Sequence, residues 1–89
     1  GGPHAADVIA EGIAFPWEGP DLAVAVIDPD LGPGGYAYLL RHGGRATLAS
    51  VLWRGFRSIH ERLARTEAWF AEHYGVRPGR RHRFGGFGN

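Results

Sequence analysis

Large and small residues alternate over residues 7–17, Asp-Val-Ile-Ala-Glu-Gly-Ile-Ala-Phe-Pro-Trp, with Ile9, Glu11, Ile13, Phe15 and Trp17 on one parity. Successive side chains of a strand point to opposite faces, so this pattern predicts a partly covered strand that Pro16 ends or holds at an edge. Residues 22–28, Leu-Ala-Val-Ala-Val-Ile-Asp, are apolar on both parities and too short for a helix. They predict a strand in the sheet interior, closed by Asp28-Pro29-Asp30. Two further β-rich runs, Tyr36 to Arg41 and Arg45 to Trp53, flank His42-Gly43-Gly44, and a two-residue Gly-Gly turn of the primed type connects them.

That turn fixes a register. Pairing His42 with Arg45 sets Leu40 opposite Thr47, Tyr38 opposite Ala49 and Tyr36 opposite Val51. One face of the hairpin then sets bulky residues against small ones, while the other carries Ala37, Leu39, Leu48, Ser50 and Leu52, an aliphatic surface suited to receive a helix. The helix follows directly. Ser58-Ile59-His60-Glu61 is a capping-box pattern, and Phe56, Ile59, Leu63, Phe70 and Tyr74 recur at helical spacings before Gly75 and Pro78. A helix over 59–74 is ~24 Å long, enough to cross a sheet of this width. The expected fold is α+β: an antiparallel sheet of about four strands with one long helix packed on one face, as a single unit over residues 1–89.

With 89 residues the chain is one small domain rather than a complete multi-domain enzyme. The absence of Cys excludes a disulfide scaffold and a thiolate zinc site. The longest apolar runs fall far short of a membrane span, so a cytoplasmic location is expected. A start at Gly1 without Met and a stop after Phe84-Gly85-Gly86-Phe87-Gly88 read as a segment of something longer.

Net charge is +1, yet residues 1–40 hold six acids and no Arg, whereas residues 41–89 hold all ten Arg against three Glu. Such a split marks either a surface for nucleic acid or anionic lipid, or an acidic face that meets a basic one. The run Arg77 to Arg83 followed by Phe84 and Phe87 raises the same pair of readings: a stacking, basic nucleic-acid patch, or a connector whose Arg residues face solvent or an acidic neighbour. Its spacing matches no RNA-binding signature.

Other candidate chemistry is thin. Gly32-Pro33-Gly34-Gly35-Tyr36-Ala37 fits G-x-G-x-x-A, but a strand follows it where a dinucleotide site needs a helix N-terminus, so it reads as a turn. The five His residues show no i,i+4 pair and no metal-ligand spacing, so no metal is expected, and His60-Glu61 and Glu72-His73 read as solvated helix-face residues. No catalytic constellation is present. The informative feature is the hairpin face on which Tyr36, Tyr38 and Leu40 stand beside Thr47, Ala49, Val51 and Trp53, either as ordinary core or interface packing or as an apolar groove with two phenol handles.

At these residues the sequence resembles the substrate-side middle segment of the geranylgeranyl reductase family of FAD-dependent oxidoreductases, which carries Y-x-W-x-F-P after a Pro/Gly loop. Here Pro33-Gly34-Gly35-Tyr36-Ala37-Tyr38-Leu39-Leu40-Arg41 holds that place: Tyr36 agrees, while Tyr38, Leu40 and Arg41 stand for Trp, Phe and Pro. The order of strands, the helix and the Gly-rich Phe84-Gly85-Gly86 run are also similar.

The resemblance implies a parent flavoprotein that binds FAD and reduces carbon–carbon double bonds of an isoprenoid or other apolar substrate. Within it Tyr36, Tyr38, Leu40, Thr47, Ala49 and Trp53 would bind substrate, and this segment alone would neither hold FAD tightly nor turn over. Its partners would be that small apolar substrate and the remainder of the flavoprotein, with room for a peripheral membrane contact and no nucleic acid expected. The alternative is a small Arg-rich binding module for nucleic acid or anionic lipid, using Arg80, Arg81 and Arg83.

Overall fold

The computed structural model describes residues 8–27, 35–52 and 59–88. Its elements run β1 (Val8–Pro16), β2 (Leu22–Val26), β3 (Gly35–His42), β4 (Arg45–Leu52), α1 (Ile59–Tyr74) and β5 (His82–Gly88). Every strand pairing is antiparallel, and the order across the sheet is β2-β3-β4-β1-β5.

The β3–β4 hairpin forms as its glycines dictate. Gly43 and Gly44 sit at φ of 60° and 76°, a primed turn that residues with a Cβ enter only under strain. The pairs His42/Arg45, Leu40/Thr47, Tyr38/Ala49 and Tyr36/Val51 follow in the expected register. β1 joins the far side of β4, so the chain from β1 to β2 must pass the tip of this hairpin. Two contacts fasten it there: the Trp17 amide donates to the Gly44 carbonyl at 2.9 Å, and the Arg41 guanidinium lies 4.1 Å over the Trp17 ring. Arg41 Nε also donates to the Pro20 carbonyl at 2.8 Å.

The core forms on one face. The aligned row Val24–Leu39–Leu48–Ile13 joins Phe15, Ala37 and Ala46 on the same side, and Leu63 and Phe70 of α1 close over them. α1 ends at Gly75, whose φ of 71° and amide bond to the Ala71 carbonyl form a left-handed C-terminal cap. Val76 is thereby turned back into the core.

Three expectations are corrected. The molecule is mostly antiparallel sheet, with five strands and one 16-residue helix among the described residues, so the expected α+β fold of about four strands crossed by a long helix does not hold. α1 packs chiefly on β4 and β1. The extra strand arises where an Arg-rich connector was expected: residues 82–88 pair with β1 from Val8/Gly88 to Ala14/His82, because small Ala10, Gly12 and Ala14 leave room for Phe84 on their side. Lastly, β2 is an edge strand rather than an interior one. Its all-apolar sequence misleads because the exposed parity is filled by Ala23 and Ala25, which are apolar yet need no cover. The cap residue Ser58, Phe56 and the Asp28-Pro29-Asp30 and Gly32-Pro33-Gly34 loop positions lie outside the described residues.

Candidate functional site

Because strand parity is strict, every residue placed opposite the core lies on one open face of the sheet. The register sets three rows across it. Tyr36 aligns with Val51, Ala10 and Gly86; Tyr38 with Ala25, Ala49, Gly12 and Phe84; Leu40 with Ala23, Thr47, Ala14 and His82. Tyr36 and Tyr38 project together from this face, with ring centroids 6.5 Å apart and planes tilted by 38°. α1 lies on the other side and leaves both rings half-buried.

The floor between them is tight rather than hollow. Ala49 is fully covered and Gly12 is buried. A Cβ on Gly12 would come within 2.5 Å of the Leu48 carbonyl, 2.6 Å of Phe84 Cζ and 2.8 Å of the Ala49 Cβ, so the Phe84 ring lies across the glycine and reaches toward Ala49. The face is thus an aromatic platform formed by Tyr36, Tyr38 and Phe84 over Ala49, Gly12 and Val51, with Thr47 half-buried and Leu40 exposed at one end. Of the residues expected to bind substrate, Tyr36, Tyr38, Leu40, Thr47 and Ala49 share this face, and Trp53 lies outside the described residues. Phe84 and Gly12 were missed; the alternation of His82, Phe84 and Gly86 was the available signal.

Tyr38 is the chemically distinctive member. Desolvation, and secondarily the neighbouring Tyr36, raise its pKa above the usual 10.0, so its phenol stays a neutral hydrogen-bond donor through the physiological range.

On the helix face two polar clusters interrupt the core. Arg62, only 5% exposed, donates through Nε to Ser50 Oγ at 2.6 Å, and burial lowers its pKa. Its guanidinium packs against Gly35, where a Cβ would collide with it and with the Val51 carbonyl, so only glycine fits directly before Tyr36. The second cluster ties three elements. Glu11 Oε1 of β1 accepts from Arg83 Nη2 of β5 at 2.5 Å and lies 2.6 Å from His60 Nδ1 of α1. The latter distance assigns that nitrogen as a donor to the carboxylate. Arg81 likewise donates to Glu67 at 2.6 Å. Much of the basic run is therefore directed to acids of this chain. His73 is exposed on the helix face as expected, and there it stacks 3.9 Å from the Trp69 ring while Nδ1 donates to the Trp69 carbonyl.

Among the described residues no three His, Cys, Asp or Glu converge as a metal ion would require, and no helix is long and apolar enough to cross a membrane. No protein family, curated protein or solved structure matches the chain.

Proposed function

We propose that the open aromatic face is the substrate wall of a flavin-dependent oxidoreductase acting on an isoprenoid or similarly apolar, unsaturated molecule. The observation that carries this reading is the shared projection of Tyr36 and Tyr38, ring centroids 6.5 Å apart, from the side that α1 leaves uncovered. The family resemblance at Gly34-Gly35-Tyr36-Ala37-Tyr38 supports it from sequence.

The donor set of the face is two phenols, one threonine hydroxyl and, at its β5 margin, the His82 imidazole, with carbon elsewhere. That chemistry suits a polyene chain or the edge of a planar ring, and does not suit a pyrophosphate. The chain would therefore border FAD rather than hold it. When bound, the flavin supplies the hydride chemistry. This chain's own residues would orient and desolvate the substrate: Phe84 and Tyr36 offer it their rings, the small Gly12 and Ala49 beneath let the Phe84 ring lie close to the sheet, and the neutral Tyr38 hydroxyl donates to any oxygen at the substrate's polar end.

Geranylgeraniol titrated into the 89-residue chain tests the reading, followed by intrinsic fluorescence. Saturable binding that weakens at least tenfold, about 1.4 kcal/mol, in Tyr38→Ala is expected. No saturable binding, or an affinity unchanged in Tyr38→Ala, overturns it. Salt-sensitive binding to generic duplex DNA in its place would favour the Arg-rich module.

A further inference from the structure

The two outer strands of the sheet differ in how they guard their free edges. β5 carries Arg83 within the strand, glycines at 85 and 86, and Arg80 and Arg81 just before it. Charges and irregularity of this kind keep an exposed ladder from pairing with another chain. β2 has no such protection within the strand. Leu22-Ala23-Val24-Ala25-Val26 contains no charge and no proline, and its pairing with β3 runs unbroken from Leu22/Arg41 to Val26/Ala37. Among the described residues no strand covers its outer edge. Ile27, directly beyond it, is 84% exposed.

We propose that the free edge of β2 pairs antiparallel with β2 of a second copy of this chain, about a two-fold axis normal to the sheet. The strand is complementary to itself in one register. Centred on Val24, the pairing sets Leu22 against Val26 of the second copy, Val24 against its equivalent, and Ala23 against Ala25. Residues so paired have the same parity, so the branched side chains extend the helix-side core and the alanines meet on the open side. A slip by one residue would break that match.

Asp21, held 3.1 Å from His42 of its own chain, falls opposite Ile27 of the second copy, so the two Asp21 carboxylates sit at opposite ends of the ladder. The half-buried Leu22, Val24 and Val26, already packed against the core margin, lose their remaining exposure. A closed two-fold pair is also the commonest form of self-association.

Joining the edges changes the open face. Ala23 and Ala25 of both copies form a level floor two strands wide, with Tyr38 and Leu40 of each copy standing on either side. At ~4.8 Å per strand the two β3 strands lie ~14 Å apart, so the second copy supplies a facing wall that one chain lacks. The association itself stands apart from whatever occupies that trough. Five residues a side bury less than the ~1,200 Å² of a standard stable interface, which makes this a weak, concentration-dependent dimer.

Sedimentation velocity on the 89-residue chain, from about 10 μM to about 1 mM, should show a monomer–dimer equilibrium. Ala25→Lys, at an exposed open-face position, should weaken it at least tenfold, while Ala68→Lys on the exposed side of α1 should leave it unchanged. Ala23→Lys serves as the second variant should circular dichroism show Ala25→Lys unfolded. Hydrogen exchange adds a direct reading: β2 amides should gain protection with concentration and β5 amides should not. A chain that stays monomeric throughout overturns the proposal and leaves the edge to an extended segment of another protein. A dimer indifferent to both lysine variants overturns it equally.

Discussion

Thr66 is the one described residue whose buried side-chain polar atom has no hydrogen-bond partner. It lies fully covered on the sheet side of α1, between the turns that carry Arg62 and Phe70. A buried hydroxyl without a partner costs its full desolvation, about 1–3 kcal/mol, whereas a methyl group in its place costs nothing of that kind. Thr66→Val, which keeps the branched shape, should therefore stabilise the chain by about 1 kcal/mol, read as a higher urea midpoint with an unchanged slope. A lower midpoint would mean that the hydroxyl is bonded. Tyr38 gives a second test at this scale. Its pKa is raised in the folded state, so folding favours the neutral phenol; that contribution is fully present below the unfolded value of 10.0 and is lost as pH rises through the folded value. Stability should decline above pH 10 and decline less in Tyr38→Phe, measured by thermal melts across that range; equal slopes in the two proteins would refute the assignment.

At the scale of elements, legibility followed how local the determinant was. The β3–β4 hairpin could be read to the residue because Gly43 and Gly44 set the turn and the turn sets the register. The α1 boundaries were equally readable, since Gly75 provides its own stop. What failed was pairing between distant segments. β5 was hidden because Arg83, which looks like a solvent-facing charge, is held by Glu11, 72 positions earlier. Phe84 looks like a connector aromatic until Gly12 is placed beneath it. β2 failed for the opposite reason: alanine satisfies an apolar pattern without requiring burial, so pattern alone could not separate an edge from an interior strand. The aromatic site was half legible for the same cause, its Tyr36–Tyr38 side being local and its Phe84 side not.

For the whole molecule, the acidic first part meets the basic second part at a few points that help to close the fold. Arg41 bonds the carbonyls of Glu18 and Pro20, His42 meets Asp21, and Glu11 takes both His60 and Arg83. Most of these contacts are exposed, and exposed ion pairs contribute little. Glu11 differs because its side chain is only 14% exposed and because it joins β1, α1 and β5 at once. Glu11→Gln keeps the shape but removes the charge, leaving Arg83 Nη2 and His60 Nδ1, 3.3 Å apart, without an anion between them. We expect a loss of about 1–1.5 kcal/mol in urea unfolding, against less than about 0.5 kcal/mol for Glu61→Gln, whose partner Arg65 is one turn away on the exposed helix surface. The penalty should shrink in 1 M salt only in part, since screening acts weakly on a carboxylate so enclosed. Equal losses in the two variants would mean that β5 is held by backbone pairing alone, and the charge division would then have no part in joining the first strand to the last.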